Sequence, residues 1–423
     1  MSEKVLPFTP KQLESILREF PTPVYVYDER GIRESARKLN EAFSWVPNGF
    51  KNYFAVKALP NPYILEILKE EGSGADCSSM PELMLAQMAG ISGQEVMFTS
   101  NDTPAAEFKK AKEIGAIINL DDIKHIDFLE SHAGLPDLIC FRYNPGSART
   151  GNSIIGIPAE AKYGLTKDQI FEAYKIMKAK GVKRFGLHTM VASNSLMPHH
   201  FIETASMIFD LAVEISKKEG VKFEFLNLGG GIGIPYAPHD EALDLEFVSN
   251  EIRKEYDARI AANGLHPLRI VMECGRFITG PHGYLFTTVR HVTQKYRNYV
   301  GVDASMANLM RPAMYDAYHH ITVLGKEHLP HDQIYDITGS LCENNDKFAK
   351  QRKLPRIEVG NTLGIFDVGA HGHAMGFQYN GKLRSAEVLA KENGENKLIR
   401  RAETIDDYFA TLNHPNLRLV TGG

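Results

Sequence analysis

Tryptophan, cysteine and long apolar runs are scarce in this sequence. It has one Trp and four Cys among 423 residues. The cysteines show no paired spacing, which excludes a disulfide framework and a zinc site and indicates free thiols in a reducing compartment. The apolar runs are strand-length, far below the ~20 residues of a membrane span. No basic block occurs and the formal net charge is −4, so neither a membrane nor a nucleic acid is expected as a partner.

The N-terminal segment does not predict export. It reads MSEKVLPFTPKQLESILREF, with acidic side chains and no apolar centre, unlike a signal peptide. The composition, 43% hydrophobic and 24% charged, is that of an ordinary globular protein. The 16 histidines form no pattern such as HExxH. We therefore expect a cytoplasmic protein with no metal site and either two or three domains or one large barrel with a smaller partner.

Short apolar runs alternate with helix-like segments over the first two thirds of the chain. The runs occupy residues 53–56, 74–77, 96–99, 117–120, 138–143, 184–188, 223–228 and 268–273. Several of the intervening segments begin with Pro or Asp and end near Gly, as helices do. Such alternation implies parallel strands joined by right-handed crossovers. Eight units predict an α/β fold, a (β/α)8 TIM barrel, with an open doubly wound sheet as the competing architecture.

The sequence pattern changes after Gly280. The segments there are β-rich and predict an antiparallel β-domain. The predicted strands are 284–292, 299–303, 354–359 and 362–368. The early run PVYVY, residues 23–27, is a strand that we expect to pair with this late domain, and the stretch after Ala390 is predicted to be a helix. The predicted domains are an N-terminal segment of the β-domain (1–44), the barrel (45–282) and the C-terminal β-domain (283–423).

Polar residues lie at the carboxyl ends of several predicted barrel strands. Because active sites of such barrels lie at the carboxyl ends of the strands, these residues are candidates for chemistry. They are Lys57, Asp76, His188, the glycines Gly229, Gly230 and Gly231, and Glu273 with Arg276 just beyond. A lysine after a strand is usually solvated, but Lys57 directly follows an apolar strand. We therefore expect it in the barrel mouth, partly desolvated, which favours imine chemistry.

The glycines and Glu273 have two interpretations each. Three consecutive glycines make either a tight turn or a backbone cradle for a phosphate. Glu273 is either a structural acid or a carboxylate that keeps a pyridine nitrogen protonated. An imine-forming lysine, a phosphate cradle and such a carboxylate together are what pyridoxal 5′-phosphate (PLP) requires.

The sequence motifs resemble those of a diaminopimelate decarboxylase, in the alanine-racemase-like class of PLP enzymes. The resemblance extends over nearly the whole chain. The motif FAVKA implies that Lys57 is the Schiff-base lysine, and GADCSSMPEL places Asp76 near it. LNLGGGIGIPY resembles the phosphate-binding glycine loop. ECGR resembles the family's EPGR, which implies that Glu273 faces the pyridine nitrogen and that Gly275 and Arg276 lie near phosphate and substrate.

Motifs of the β-domain extend the resemblance to the substrate. LMRPAMYDAYHHI implies that Arg311 and Tyr315 are substrate contacts. GSLCENND resembles GPLCESxD, whose Cys342 and Glu343 in the family reach the site of the neighbouring subunit, so a homodimer with shared active sites is implied. Tyr379, in FQYNGKLRSAE, matches a tyrosine near phosphate and substrate. Cys342 of the partner subunit is the implied proton donor to Cα, with Lys57 as the alternative.

One segment departs from the family pattern H-x-H-[IV]-G-S. Here His188 is followed by Met190 at the position that stacks on the cofactor ring, and by Ser193 at the phosphate-contacting serine. A thioether can pack on an aromatic ring but cannot donate a proton.

The resemblance implies decarboxylation of meso-diaminopimelate to L-lysine and CO2, the last step of lysine biosynthesis. The Met190 departure keeps open a decarboxylase of D-ornithine, D-lysine or another modified amino acid. An amino-acid racemase and a non-catalytic PLP-binding protein are the remaining alternatives.

Overall fold

A computed structural model describes residues 4–149 and 156–414 of the chain. The described residues form two compact units. One, the barrel unit, comprises Arg33–Pro235 and Glu241–Ile278; the other, the β-unit, comprises the residues up to Ile32, Tyr236–Asp240 and those from Thr279 onward. Within these ranges, no helix has both the length and the apolarity that crossing a membrane requires. The predicted three-part division at residues 44/45 and 282/283 stays a prediction.

The barrel unit contains a closed barrel of eight parallel strands among the described residues, which confirms the predicted architecture. The β-unit has a strand earlier in the chain, β1 (Val24–Asp28), so the barrel strands are numbered from β2. They are β2 (Phe50–Ala55), β3 (Gly74–Cys77), β4 (Val96–Thr99), β5 (Ile117–Leu120), β6 (Leu138–Tyr143), β7 (Arg184–Thr189), β8 (Phe223–Asn227) and β9 (Arg269–Met272).

Helices alternate with these strands as the sequence predicts. In chain order the helices up to β9 are α1 (Pro10–Glu19), α2 (Glu29–Ala42), α3 (Pro62–Glu70), α4 (Met80–Met88), α5 (Ala105–Glu113), α6 (His125–Ala133), α7 (Lys167–Ala179), α8 (Pro198–Glu219) and α9 (Leu245–Arg259). Several start on a favourable cap. Asn61 accepts from the Tyr63 amide at the start of α3, and Thr166 forms a capping box with Gln169 at the start of α7.

The barrel interior is a packed apolar core. Its members project from six of the eight strands and leave space for chemistry only at the strand ends; they are Tyr53, Met97, Ile117, Leu138, Cys140, Phe225 and Val271.

The β-unit is built on a sheet of nine described strands. The later elements of the chain are α10 (Arg276–Thr279), β10 (Gly283–Gln294), β11 (Asn298–Val302), α11 (Arg311–Tyr315), β12 (Ile321–Val323), β13 (Gln333–Thr338), β14 (Lys347–Leu354), β15 (Thr362–Ile365), β16 (Ala386–Ala390), β17 (Asn396–Arg400) and α12 (Ile405–Phe409). Most pairs are antiparallel as predicted, whereas β1 runs parallel to β16 and β11 runs parallel to β13.

The early strand β1 lies inside this sheet, as predicted for PVYVY. It pairs antiparallel with β10 and parallel with β16. Its inward side chains Val24 and Val26 join a core with α1 and β10 that also contains Leu13, Ile16, Tyr284, Phe286, Phe366 and Val388.

Two sequence predictions in the β-unit are wrong. Residues 354–359 are not a strand, because β14 ends at Leu354 and irregular chain leads from there to a turn at residues 359–360. The stretch after Ala390 contains the strand β17, which forms a hairpin with β16, and the equally short helix α12, so it is helical only in part. The pair Asn393-Gly394 in the connection is a hairpin signal that the helix prediction overlooked.

Candidate active site

Lys57 lies one turn beyond the carboxyl end of β2. It sits in the middle of a short 3-10 turn, Val56–Ala58, whose flanking side chains are buried while Lys57 itself is exposed. The amine is therefore accessible at the barrel mouth. The described residues do not bury Lys57, in contrast to the partial desolvation expected from the sequence.

Asp76 lies beside the Lys57 turn, because β3 pairs with β2 in a register that sets Asp76 opposite Ala55. Asp76 is only 3% exposed, and its Oδ1 has no hydrogen-bond partner among the described residues. Burial raises the pKa of Asp76 well above its ordinary value, the Glu273 carboxylate raises it further, and Lys57 opposes the shift. Asp76 therefore favours the protonated form in this chain.

Glu273 follows β9 and is held by its neighbours. Its Oε1 accepts from Asn227 Nδ2 at 2.7 Å, and its backbone N–H donates to Gly229 O at 2.8 Å. Burial by itself would raise the pKa of this carboxyl. His188 and Arg142 outweigh burial, helped by the Asn227 hydrogen bond, so the pKa of Glu273 lies below its ordinary value. This carboxylate stays ionised, as a partner of a protonated pyridine nitrogen must.

His188 is the last residue but one of β7 and is fully buried. Its Nδ1 lies 2.7 Å from Asn119 Nδ2, so the amide on β5 holds this ring in place. Nε2 lies 3.4 Å from Glu273 Oε2 and has no hydrogen-bond partner in the described part of the chain. Asp76 Oδ1 and His188 Nε2 are thus two buried polar atoms whose hydrogen bonding these residues leave incomplete.

The glycine loop 229–231 has no room for side chains. A Cβ on Gly230 would lie 2.5 Å from Glu273 O, and one on Gly231, whose φ is +91°, would lie 2.3 Å from Ala192 O. The loop packs between the segments that follow β7 and β9, so packing alone demands glycine there. The same absence of side chains lets an anion approach the backbone of the loop, where the Gly229 N–H already donates to Asn227 Oδ1 at 2.9 Å.

Met190 and Ser193 flank this loop. The Gly230 N–H donates to Met190 Sδ at 3.3 Å, so the thioether that replaces the family's imidazole rests on the loop. A Cβ on Gly231 would lie 3.5 Å from the backbone nitrogen of Ser193, so Ser193 lies beside the loop.

Gly275 and Arg276 complete the barrel group. A Cβ on Gly275 would lie 2.8 Å from Ala58 Cβ, so the glycine permits close packing against the turn that carries Lys57. Arg276 begins α10 and is only 8% exposed.

Sequence reasoning missed several buried polar residues on barrel strands. Arg142 on β6 forms a two-point ion pair with Asp121 at 2.5 Å and stacks over the Tyr163 ring at 4.5 Å. Asn119 and Asn227 orient His188 and Glu273. The available signal was a polar residue at or near the end of a strand-length apolar run, as in IINL and ICFRY.

The remaining predicted residues lie in the β-unit. Arg311 begins α11 and is 5% exposed, whereas Tyr315 ends that helix with 48% exposure. In the motif GSLCENND, Asp346 accepts from the Met306 and Leu341 amides at 2.6 and 2.8 Å and fixes the loop.

That fixed loop brings Cys342 to the turn of Tyr379. The Cys342 N–H donates to Asn380 Oδ1 at 2.8 Å, and Cys342 is exposed. Tyr379 is 48% exposed. Glu343 is half-buried, and its Oε1 accepts from the Asn345 amide at 3.0 Å. Cys342, Glu343 and Tyr379 therefore share one edge of the β-unit.

Comparisons with known proteins agree with this site. Residues 29–280 match the family model of the pyridoxal-dependent decarboxylases, pyridoxal binding domain. Protein TabA of Pseudomonas amygdali pv. tabaci is 40% identical to this chain. The match covers 94% of this chain and 92% of protein TabA. A diaminopimelate decarboxylase of Methanothermobacter thermautotrophicus is 36% identical to this chain. The match covers 94% of this chain and 93% of that protein.

A solved structure gives the same result. The diaminopimelate decarboxylase of Helicobacter pylori, complexed with L-lysine, superimposes with a TM-score of 0.85 at 28% identity, covering 94% of this chain and 98% of that one.

The residues present fit PLP. An accessible lysine amine, an ionised buried carboxylate, a side-chain-free backbone loop and two buried polar atoms with incomplete hydrogen bonding lie at one end of one barrel. With the family match over more than half of its length, the chain belongs to the pyridoxal-dependent decarboxylases.

Proposed function

We propose that this enzyme decarboxylates meso-diaminopimelate to L-lysine and CO2, the last step of lysine biosynthesis. The observation that carries the proposal is the 36% identity to a diaminopimelate decarboxylase over 94% of this chain, which includes the β-unit and its predicted substrate residues. A match confined to the barrel would support only the cofactor.

Each barrel residue has a role that its surroundings support. Lys57, accessible at the end of β2, binds the cofactor aldehyde. The backbone of the glycine loop 229–231, with Ser193, would hold the phosphate. Glu273 stays ionised and holds a proton on the pyridine nitrogen. Bound PLP supplies an electron sink for the pair that CO2 leaves on Cα.

Charged residues recognise the substrate, and their geometry matches its charged groups. Arg276 and Arg311 offer bidentate contacts to the distal carboxylate of the substrate. Glu343 binds the distal ammonium, and the exposed hydroxyls of Tyr315 and Tyr379 add neutral contacts. Two arginines and one glutamate suit a substrate end that carries both a carboxylate and an ammonium.

Protonation at Cα completes the reaction and involves a second subunit. The thiol of Cys342 of the partner subunit donates the proton, with the Lys57 ammonium as the alternative donor. The proposal thus includes a homodimer with shared active sites. It also includes a cytoplasmic location, which four free cysteines support.

The deciding experiment measures CO2 release. Purified protein with added PLP is incubated separately with meso-diaminopimelate, D-lysine, D-ornithine and L-lysine. The proposal predicts rapid CO2 release and stoichiometric lysine from meso-diaminopimelate, with much slower release from the others. No release from meso-diaminopimelate in a protein that has bound PLP would overturn it.

A second candidate is a decarboxylase of D-ornithine, D-lysine or another modified amino acid. Met190 stands where the family pattern has the histidine that stacks on the cofactor ring, and protein TabA is more similar to this chain than the cited diaminopimelate decarboxylases are. Faster CO2 release from D-lysine or D-ornithine would support this candidate. Loss of optical activity without CO2 would indicate a racemase, and PLP binding without either reaction a non-catalytic protein.

A further inference from the structure

Arg311 is framed by two aromatic rings of its own unit. Its Nη1 lies 3.0 Å from His319 Nε2, and its guanidinium carbon lies 4.6 Å from the centre of the Tyr236 ring. The Tyr236 and His319 rings meet edge to face, with centroids 5.2 Å apart at 75°. The three side chains fix one another: the histidine acts at one edge of the guanidinium and the tyrosine on its flat face.

Hydrogen-bond chemistry fixes the protonation of His319. Its Nδ1 lies 2.8 Å from the carbonyl oxygen of Phe366, which can only accept, so Nδ1 carries a proton. Its Nε2 faces Arg311 Nη1, which can only donate, so Nε2 must be an unprotonated acceptor. His319 is fully buried and therefore held as the neutral Nδ1–H tautomer.

A neutral acceptor has an advantage over a carboxylate at this position. Both would orient the guanidinium, but a second carboxylate would repel an anionic ligand and compete with it for the same N–H groups. An imidazole orients one edge of Arg311 without adding negative charge.

We propose that His319 is a positioning residue that aims Arg311 at the distal carboxylate of the substrate. The inference rests on the proposed function, in which Arg311 binds that carboxylate. His319 touches no reacting atom, so its loss affects binding more than turnover.

Two variants separate orientation from packing. In His319→Gln, one amide can both accept from Arg311 and donate to Phe366 O, whereas His319→Phe keeps the ring and loses both bonds. We expect His319→Phe to raise KM for meso-diaminopimelate about tenfold, the effect of one lost hydrogen bond to a charged group, with kcat within about threefold of wild type. His319→Gln should stay within about threefold on both constants. Equal KM defects in the two variants, or an unchanged KM in His319→Phe, would overturn the proposal.

A second measurement reads the tautomer of His319 in the unmodified enzyme. Long-range 1H–15N spectra of histidine-labelled protein, with the His319 signals identified by their loss in His319→Gln, should show a neutral Nδ1–H tautomer at pH 7. A doubly protonated ring or an Nε2–H tautomer contradicts the inference.

The proposed function and the role of His319 can be refuted independently of each other. Absence of CO2 from meso-diaminopimelate overturns that function and leaves the tautomer result standing. A normal KM in Arg311→Lys removes the substrate role of Arg311, and with it the reason to position this side chain.

Discussion

Asn52 binds both polar groups of the Cys274 backbone. Its Oδ1 accepts from the Cys274 N–H at 2.7 Å, and its Nδ2 donates to the Cys274 carbonyl at 3.1 Å. Cys274 separates Glu273 from Gly275, so this pair of bonds from β2 fixes the backbone on which the site carboxylate stands. A proline at 274, as in the family pattern EPGR, has no N–H to donate.

Cys274→Pro should therefore destabilise this particular chain. The substitution leaves the buried Asn52 Oδ1 without its donor, which costs about 1–3 kcal/mol. Cys274→Ala keeps the backbone N–H and is the matched control. Urea unfolding of both variants checks the expectation, and equal stabilities would show that the Asn52 bond contributes nothing.

Lys57→Ala should abolish the visible absorption of bound PLP and its fixation by borohydride. We expect activity to fall at least ~100-fold, because the same amine is a candidate proton donor. Lys51→Ala, on the same strand but paired with Glu95, is the control and should leave the absorption unchanged. A band in Lys57→Ala that borohydride still attaches to protein would assign the lysine elsewhere.

Glu343→Gln should impair catalysis and leave cofactor binding intact. The amide keeps an oxygen for the Asn345 N–H, so only the charge offered to a substrate ammonium is lost. A hydrogen bond to a charged group contributes about 1.5–3 kcal/mol, so kcat/KM should fall about 10- to 100-fold. Glu327→Gln is matched, because Glu327 Oε1 likewise accepts a turn amide, from Gly325. Unchanged turnover in Glu343→Gln would exclude it from the site.

Acid should weaken the β-unit through His282. Its ring packs against Gly31, where a Cβ would lie 2.2 Å from Nδ1, and burial lowers the pKa of His282 from 6.5 to about 4. The unfolded chain then binds more protons than the folded one between pH 6.5 and 4, so the contribution of this residue to stability is lost as pH falls through that window.

For His282 alone, linkage gives a loss of about 2 kcal/mol at pH 5 relative to pH 7.5. His282→Gln should reduce by that amount the stability difference that urea unfolding measures between the two pH values, whereas the exposed His199→Gln should not. An identical pH dependence in wild type and His282→Gln would contradict the expectation.

The barrel could be predicted closely from sequence because its strands are buried on both faces. They read as short continuous apolar runs, and four of them, including Gly74–Cys77 and Ile117–Leu120, match the predicted bounds. The β-unit could be predicted only in part, because several of its pairings join distant segments, such as β1 with β16. The hairpin of β16 and β17 did have a local signal, Asn393-Gly394 in its connection, which the helix prediction overlooked.

The residues of the site also differ in how far the sequence predicts them. Lys57, Asp76 and Glu273 were predictable because a charge that ends an apolar run has few structural reasons to be there. Asn119 and Asn227 can be noticed as polar residues near the ends of apolar runs, but their partners cannot be predicted, because only the folded barrel brings a histidine or a carboxylate to each amide. The depressed pKa of Glu273 depends on side chains from several strands, which only the closed barrel assembles.

The placement of β1 has a consequence for synthesis of the chain. Val24 pairs with Phe286 on one side and Ala386 on the other, so the first strand to leave the ribosome waits for partners made more than 250 and 350 residues later. The barrel strands need only their successive neighbours and the closing contact between β2 and β9. Nascent barrels should therefore close while the apolar strand Val24–Asp28 is still unpaired, and interrupted translation products should aggregate through that edge.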